Sequence, residues 1–130
     1  MRVYIETYGC ALNRGDTAIM ETLLKERGHE IAESPEKADV LILNTCAVRL
    51  ETEERMKQRI IQLNQLGKKL VVAGCLAGAL PATVSSLAPN ASILGPQAVE
   101  RVVEVVEGSE RRVYVQGDKA TKVPRVFNGK

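Results

Sequence analysis

The sequence has no tryptophan, one phenylalanine and three tyrosines. Base-stacking platforms of single-strand binders use more rings than that, so the folded body is not expected to read RNA sequence by stacking. A single histidine, His29, rules out a Ser–His–Asp set and most zinc sites. There are only three cysteines, at 10, 46 and 75, and none lies in a C-x2-C pair. An odd count cannot pair fully within the chain, and three is too few for a disulfide scaffold. No long apolar run occurs. Stretches such as Val40–Leu43 fall far below the roughly 20 residues of a membrane span. Met1 is followed at once by Arg2 and a strand-like run, with no signal-peptide pattern. The expected setting is therefore a reducing cytoplasm, with no membrane partner.

What is present fits one ordinary domain. The 130 residues are 45% hydrophobic and 26% charged, which excludes disorder and collagen. The formal net charge of +2 is no nucleic-acid signature, but its distribution is uneven. Residues 1–109 carry 12 basic and 14 acidic side chains, whereas residues 110–130 carry 6 basic and 2 acidic ones. The basic six are Arg111, Arg112, Lys119, Lys122, Arg125 and Lys130. Two readings of this stretch stand: a solvated linker, or a basic arm near RNA phosphates. The domain is expected to span residues 1–108 and the basic linker 109–130.

Along the chain, strand and helix signals alternate. Arg2–Thr7 reads as a strand, and Gly9–Gly15 as a loop. Asp16 or Thr17 then caps a helix that runs to Arg27 and stops at Gly28. A short strand follows at His29–Ala32, and a turn at Ser34–Ala38. The run Val40-Leu41-Ile42-Leu43 within Asp39–Asn44 marks a strand buried on both faces. Met56, Ile60, Leu63 and Leu66 sit at helical spacing within Glu51–Leu66. A strand at Lys69–Ala73, a helix at Leu80–Leu87, a strand at Ala91–Leu94 and a helix at Gln97–Val106 complete the pattern. Val113–Val115 is a candidate edge strand. This alternation predicts an α/β domain: a flavodoxin-like three-layer sandwich with a mainly parallel sheet of about five strands, order 2-1-3-4-5.

In that order each cysteine follows one of three adjacent strands. Strands of a parallel sheet end on one edge, and neighbours lie about 4.8 Å apart. The fold alone would bring together residues separated by 36 and 29 positions. Structural zinc asks for four ligands. Three thiolates suit a four-iron cluster that keeps one iron open. The competing reading is that cysteine is a small buried hydrophobe, as in a flavodoxin-like nucleotide- or protein-binding module. His29 lies away from these loops and is expected on the surface. Other sites fail on residue type. A C-x5-R phosphate loop would need Arg where Asp16 and Thr52 stand, an acidic pocket would need Asp where Glu6 and Asn44 stand, and no phosphate-binding glycine motif occurs.

Three segments carry a resemblance. Thr7-Tyr8-Gly9-Cys10-Ala11-Leu12-Asn13-Arg14-Gly15-Asp16 resembles the T-[YF]-G-C-x-x-N-x-x-D opening of radical-SAM methylthiotransferases. Asn44-Thr45-Cys46-Ala47-Val48-Arg49 is similar to their N-T-C-x-V-R segment, and Val72-Ala73-Gly74-Cys75-Leu76-Ala77 to their V-x-G-C-x-A segment. The likeness covers about residues 1–107, their N-terminal domain. It implies that Cys10, Cys46 and Cys75 ligate an auxiliary 4Fe-4S cluster. It also implies an enzyme that adds a methylthio group to C2 of an N6-modified adenosine beside the tRNA anticodon. The first motif is closest to the archaeal and eukaryotic branch acting on threonylcarbamoyladenosine.

In that family the chain continues into a radical-SAM domain with C-x3-C-x2-C, a second 4Fe-4S cluster and S-adenosylmethionine, then an RNA-binding TRAM domain. The 130 residues contain no C-x3-C-x2-C. The resemblance thus makes this chain the N-terminal part of a longer enzyme, with no catalytic residue of its own and no activity expected alone. Among the neighbours, Gly9 and Gly74 would permit close backbone approach to a cluster or serve as turn glycines. Asn13, Asn44 and Thr45 would donate hydrogen bonds to cluster sulfurs or brace the loops, and Asn13 would alternatively cap a helix. Asp16 reads as a helix-terminal acid. Arg49 reads as an anchor toward a partner domain or RNA, or as a solvated arginine.

Overall fold

The computed structural model describes residues 1–8, 11–45, 50–108 and 110–114, with side chains for all of these but 11–13, 50–53, 96 and 97. Strands β1 (Arg2–Thr7), β2 (Glu30–Ile31), β3 (Val40–Thr45), β4 (Lys69–Gly74), β5 (Ser92–Leu94) and β6 (Val113–Tyr114) form one sheet. Its order is β2-β1-β3-β4-β5-β6, and every pairing is parallel. Helices α1 (Ala11–Glu26), α2 (Leu50–Asn64), α3 (Cys75–Ala79), α4 (Pro81–Leu87) and α5 (Val102–Glu107) cover it. The expected sandwich and strand order are found, with β6 added at the edge beside β5. The sheet thus takes in Val113 and Tyr114, beyond residue 108.

Side chains one residue apart on a strand point to opposite faces. Leu41 and Leu43 of β3, with Leu70 and Val72 of β4, pack against Met56, Ile60 and Leu63 of α2 and Leu76 and Val84 of α3 and α4. Val40 and Ile42, with Val71 and Ala73, pack on the other face against Met20 and Leu24 of α1 and Val102, Val105 and Val106 of α5. Strand β3 is buried along its whole length. Burial on both faces is why its sequence is an unbroken apolar run rather than an alternating one. Each large side chain so buried contributes roughly 1.5–3 kcal/mol.

Several boundaries differ from expectation. Helix α1 begins at Ala11, so Asp16 and Thr17 lie inside it and do not cap it. Asn13 falls in its first turn, not at a cap. Cys75–Ala79 is a short helix that carries no periodic signal at five residues. The expected helix at 97–106 divides into a 3-10 segment (Pro96–Arg101) and α5, with Ala98 off helical geometry at φ −114° and ψ 15°.

The N-terminal edge of the sheet carries an ionic knot. Arg27 donates from Nε and Nη2 to the two Glu107 oxygens at 3.2 and 3.1 Å, and His29 Nε2 lies 2.8 Å from Glu107 Oε2. The His29 side chain is only 9% exposed, so it is a linker between β2 and α5 rather than the expected surface residue. Hydrogen bonds from Arg27, then from His29, hold the Glu107 carboxyl at about 2 against an ordinary 4.5. A carboxyl lowered on folding stabilises above its unfolded pKa, and that contribution fades as pH falls toward the folded one. The stability advantage of the native chain over Glu107→Gln should therefore shrink as pH falls from about 4.5 to about 2. Thermal melts of both chains across that range check it, and an advantage that grows with acid would contradict it.

Candidate functional site

Strands β1, β3 and β4 end together at their C-terminal edge. The register pairs Thr7 with Asn44 and Asn44 with Ala73, then Thr45 with Gly74. Tyr8 extends the β1 pairing by one bond, its N–H donating to the Asn44 carbonyl at 3.0 Å. Cys75 follows Gly74 directly, half-buried at the start of α3. Cys46 follows Thr45 in sequence, and Cys10 stands two residues after Tyr8. Gly9, Cys10, Cys46 and Arg49 lie outside the described residues. Among the described residues, no three of His, Cys, Asp and Glu group as metal ligands.

The residues beneath this edge are locked to one another. Asn44 and Thr45 are fully buried. The Thr45 hydroxyl donates to the Ala73 carbonyl at 2.5 Å, which ties β3 to β4. The Asn44 amide donates to Thr17 Oγ1 of α1 at 3.0 Å, and the Thr7 and Thr17 hydroxyls are 2.6 Å apart. These hydrogen bonds tie β1, β3, β4 and α1 to one another at the strand ends. Gly74 sits at φ 94° and ψ −163°, a region that only glycine occupies readily. A Cβ there would meet Asn44 Oδ1 at 2.5 Å and the Thr45 carbonyl at 2.5 Å. The close approach that glycine permits here is between β4 and β3.

On the α2 face of β1 stands a group that the sequence reading missed. Arg59 grips Glu6 with two N–H donors at 2.7 Å each, while Tyr4 and Tyr8 donate their hydroxyls to Glu6 at 2.8 and 2.5 Å. Burial raises the Glu6 carboxyl, but the bonds from Arg59, Tyr8 and Tyr4 outweigh it and leave the pKa below the ordinary value. The same bond to Glu6 raises the Arg59 guanidinium. Residues 4, 6 and 8 share a face by the period of a strand, which was a legible signal. Arg59, 53 positions away, gave none.

The basic stretch is also partly accounted for. Arg111 donates to the Ala91 carbonyl at 2.8 Å and to Ser85 Oγ at 2.6 Å, and the Arg112 N–H donates to Ser92 Oγ at 3.0 Å. These two residues help hold β6 to the sheet. The other four cations of the stretch lie outside the described residues.

The donor set fits an iron–sulfur cluster. The chain offers three cysteines and no C-x2-C pair, and the strands preceding all three are adjacent, parallel and end in register. Soft thiolates suit iron–sulfur chemistry, and three of them leave a four-iron cluster one open position.

Fold and sequence together define a class: a doubly wound parallel α/β domain in which a cysteine follows each of three adjacent strands along the chain. The comparisons with known proteins place it more closely. Residues 2–95 match the uncharacterized protein family UPF0004, and the chain belongs to that family. It is 42% identical over 124 residues to the probable threonylcarbamoyladenosine tRNA methylthiotransferase of Pyrococcus horikoshii, covering 95% of this chain and 28% of that protein. To the protein of the same name from Methanocaldococcus jannaschii it is 46% identical over 118 residues, 91% of this chain and 28% of that protein. To the tRNA-2-methylthio-N(6)-dimethylallyladenosine synthase of Fervidobacterium nodosum it is 34% identical over 119 residues, 89% of this chain and 27% of that protein. The chain thus spans little more than a quarter of the length of these relatives. Among the described residues, no helix is long and apolar enough to cross a membrane.

Proposed function

We propose that this chain is the cluster-holding part of a tRNA methylthiotransferase working in the cytoplasm, with Cys10, Cys46 and Cys75 as ligands of a 4Fe-4S cluster. One observation carries the reading. Thr7, Asn44 and Ala73 are register partners at the ends of three adjacent parallel strands, and a cysteine follows each of those strands. When bound, the cluster supplies an open iron at which a transferable sulfur can be held. The chain's own part is positional. Asn44, Thr45 and Thr17 fix the strand ends, and Gly74 lets β4 close on β3. The relatives' names lean toward N6-threonylcarbamoyladenosine in tRNA as substrate, since identity is 38–46% to five relatives so named and 34–38% to three dimethylallyl enzymes. Residues 109–130 are proposed as the basic linker toward a radical-SAM domain, with Val113 and Tyr114 paired to β5 along the way. That domain would bring its own cluster and S-adenosylmethionine, and a TRAM domain would bring further RNA contacts.

Anaerobic reconstitution with iron and sulfide tests this. The chain should turn brown and take up about four irons, and a Cys10→Ala, Cys46→Ala, Cys75→Ala triple variant should take up almost none. Equal iron in both would overturn the reading. Cleavage of S-adenosylmethionine by this chain alone is not expected.

A further inference from the structure

The Glu6–Arg59 group has a position that its chemistry alone does not explain. Glu6 lies on β1, the strand that leads to Cys10, and Arg59 lies on α2, the helix that the chain enters after Cys46. The two residues are 13% and 28% exposed, and each carboxylate oxygen receives one guanidinium N–H and one tyrosine hydroxyl. That fills the carboxylate's acceptor sites with fixed partners. Tyr8 is held twice, through its hydroxyl to Glu6 and its backbone N–H to Asn44. Arg59 is held within its own helix as well, donating from Nη1 to Gln62 at 3.0 Å.

A second brace stands on the opposite face. Thr17 of α1, the helix that follows Cys10, joins Thr7 and Asn44, which precede Cys10 and Cys46. The entry of one cysteine segment is thus tied to the exit of the other on both faces. We propose that Glu6 and Arg59, with Tyr4 and Tyr8, are positioning residues that set the spacing between the Cys10 and Cys46 segments. The proposal rests on the reading of the cysteines as one ligand set.

The test separates the two claims. In a Cys75→Ser background only Cys10 and Cys46 remain as thiols, and bridging by the short bifunctional reagent dibromobimane reports how readily they meet. Arg59→Met and Glu6→Gln should slow bridging about tenfold, with Arg59→Lys between them and the native residue. Arg55→Met, an exposed change on the same helix, should leave the rate alone. Where Arg59→Met loses its circular-dichroism signature of folding, Tyr8→Phe removes one hydrogen bond and decides in its place. In the iron-loaded chain with all three cysteines, the same variants should lose iron to a chelator about tenfold faster. Unchanged bridging in folded variants overturns the proposal whether or not iron binds. Clamp-dependent bridging in a chain that takes up no iron sustains the clamp and overturns the cluster reading. No bridging in the native background overturns both.

Discussion

Gly74→Ala should cost this chain about 3–5 kcal/mol, near the top of what single substitutions do. Two penalties combine. The backbone at φ 94° and ψ −163° is strained for any residue with a Cβ, at roughly 1–3 kcal/mol. The added carbon would also sit 2.5 Å from the Thr45 carbonyl and 2.8 Å from its nitrogen. A flexible side chain could swing aside, but here the obstacle is the backbone of β3 in the middle of the sheet. The β3–β4 register must then open at Thr45–Gly74, and Cys75 moves with it. Two comparison sites isolate the second penalty. Gly28 and Gly67 also have positive φ, at 89° and 73°, with nothing within 4 Å of a built Cβ. Gly28→Ala and Gly67→Ala should therefore lose only about 1–2 kcal/mol. Urea unfolding of the three variants measures this, and equal losses at all three sites would show that the approach of the strands is not what requires glycine.

The sheet order was legible because it follows from alternation. Strand and helix signals in turn leave right-handed parallel crossovers as the simple solution, and the apolar run at 40–43 marked the central strand. What escaped the sequence reading was decided by partners far along the chain or by elements too short for a period. Glu6 was weighed only as a member of an acidic pocket, because Arg59 is far away in sequence. His29 looked like a surface residue because Glu107, which holds it, comes 78 positions later. Gly9–Gly15 looked like a loop because of its two glycines and Asn13. Yet α1 includes Gly15, where a mid-helix glycine costs about 1 kcal/mol, a cost that tertiary packing of Met20 and Leu24 readily offsets. The common edge of the three strands that precede the cysteines was legible from topology alone, since those strands are neighbours in the sheet. The braces under that edge were not, because Thr17 and Asn44 meet only once α1 is laid across the sheet.

Asn44→Asp should be the most informative single change beneath the site. It keeps the side chain's shape and puts a carboxylate at a position with no solvent exposure. Asn44 Nδ2 now donates to Thr17 Oγ1 at 3.0 Å. A carboxylate has no hydrogen to donate, so the Thr17 hydroxyl would have to turn and donate to it, which leaves Thr7 as the donor in the Thr7–Thr17 bond. The Arg59 guanidinium is spent on Glu6, on the other face of the sheet. Burial without a cation raises a carboxyl by up to about 3–5 units, and each unit is worth about 1.4 kcal/mol. With Thr17 returning part of that, the loss at neutral pH should be roughly 2–4 kcal/mol. The sign with pH follows. A carboxyl raised on folding binds its proton more tightly in the native state, so the penalty is full above the folded pKa and shrinks as pH falls toward the unfolded value near 3.9. Asn44→Asp should thus approach the native chain's stability in mild acid and fall away from it as pH rises, the opposite of the trend expected at Glu107. A pH-independent loss would mean that water or a cation reaches Asn44, and that the strand ends beneath the cysteine edge are less closed than the hydrogen bonds from Thr17 and Thr45 require.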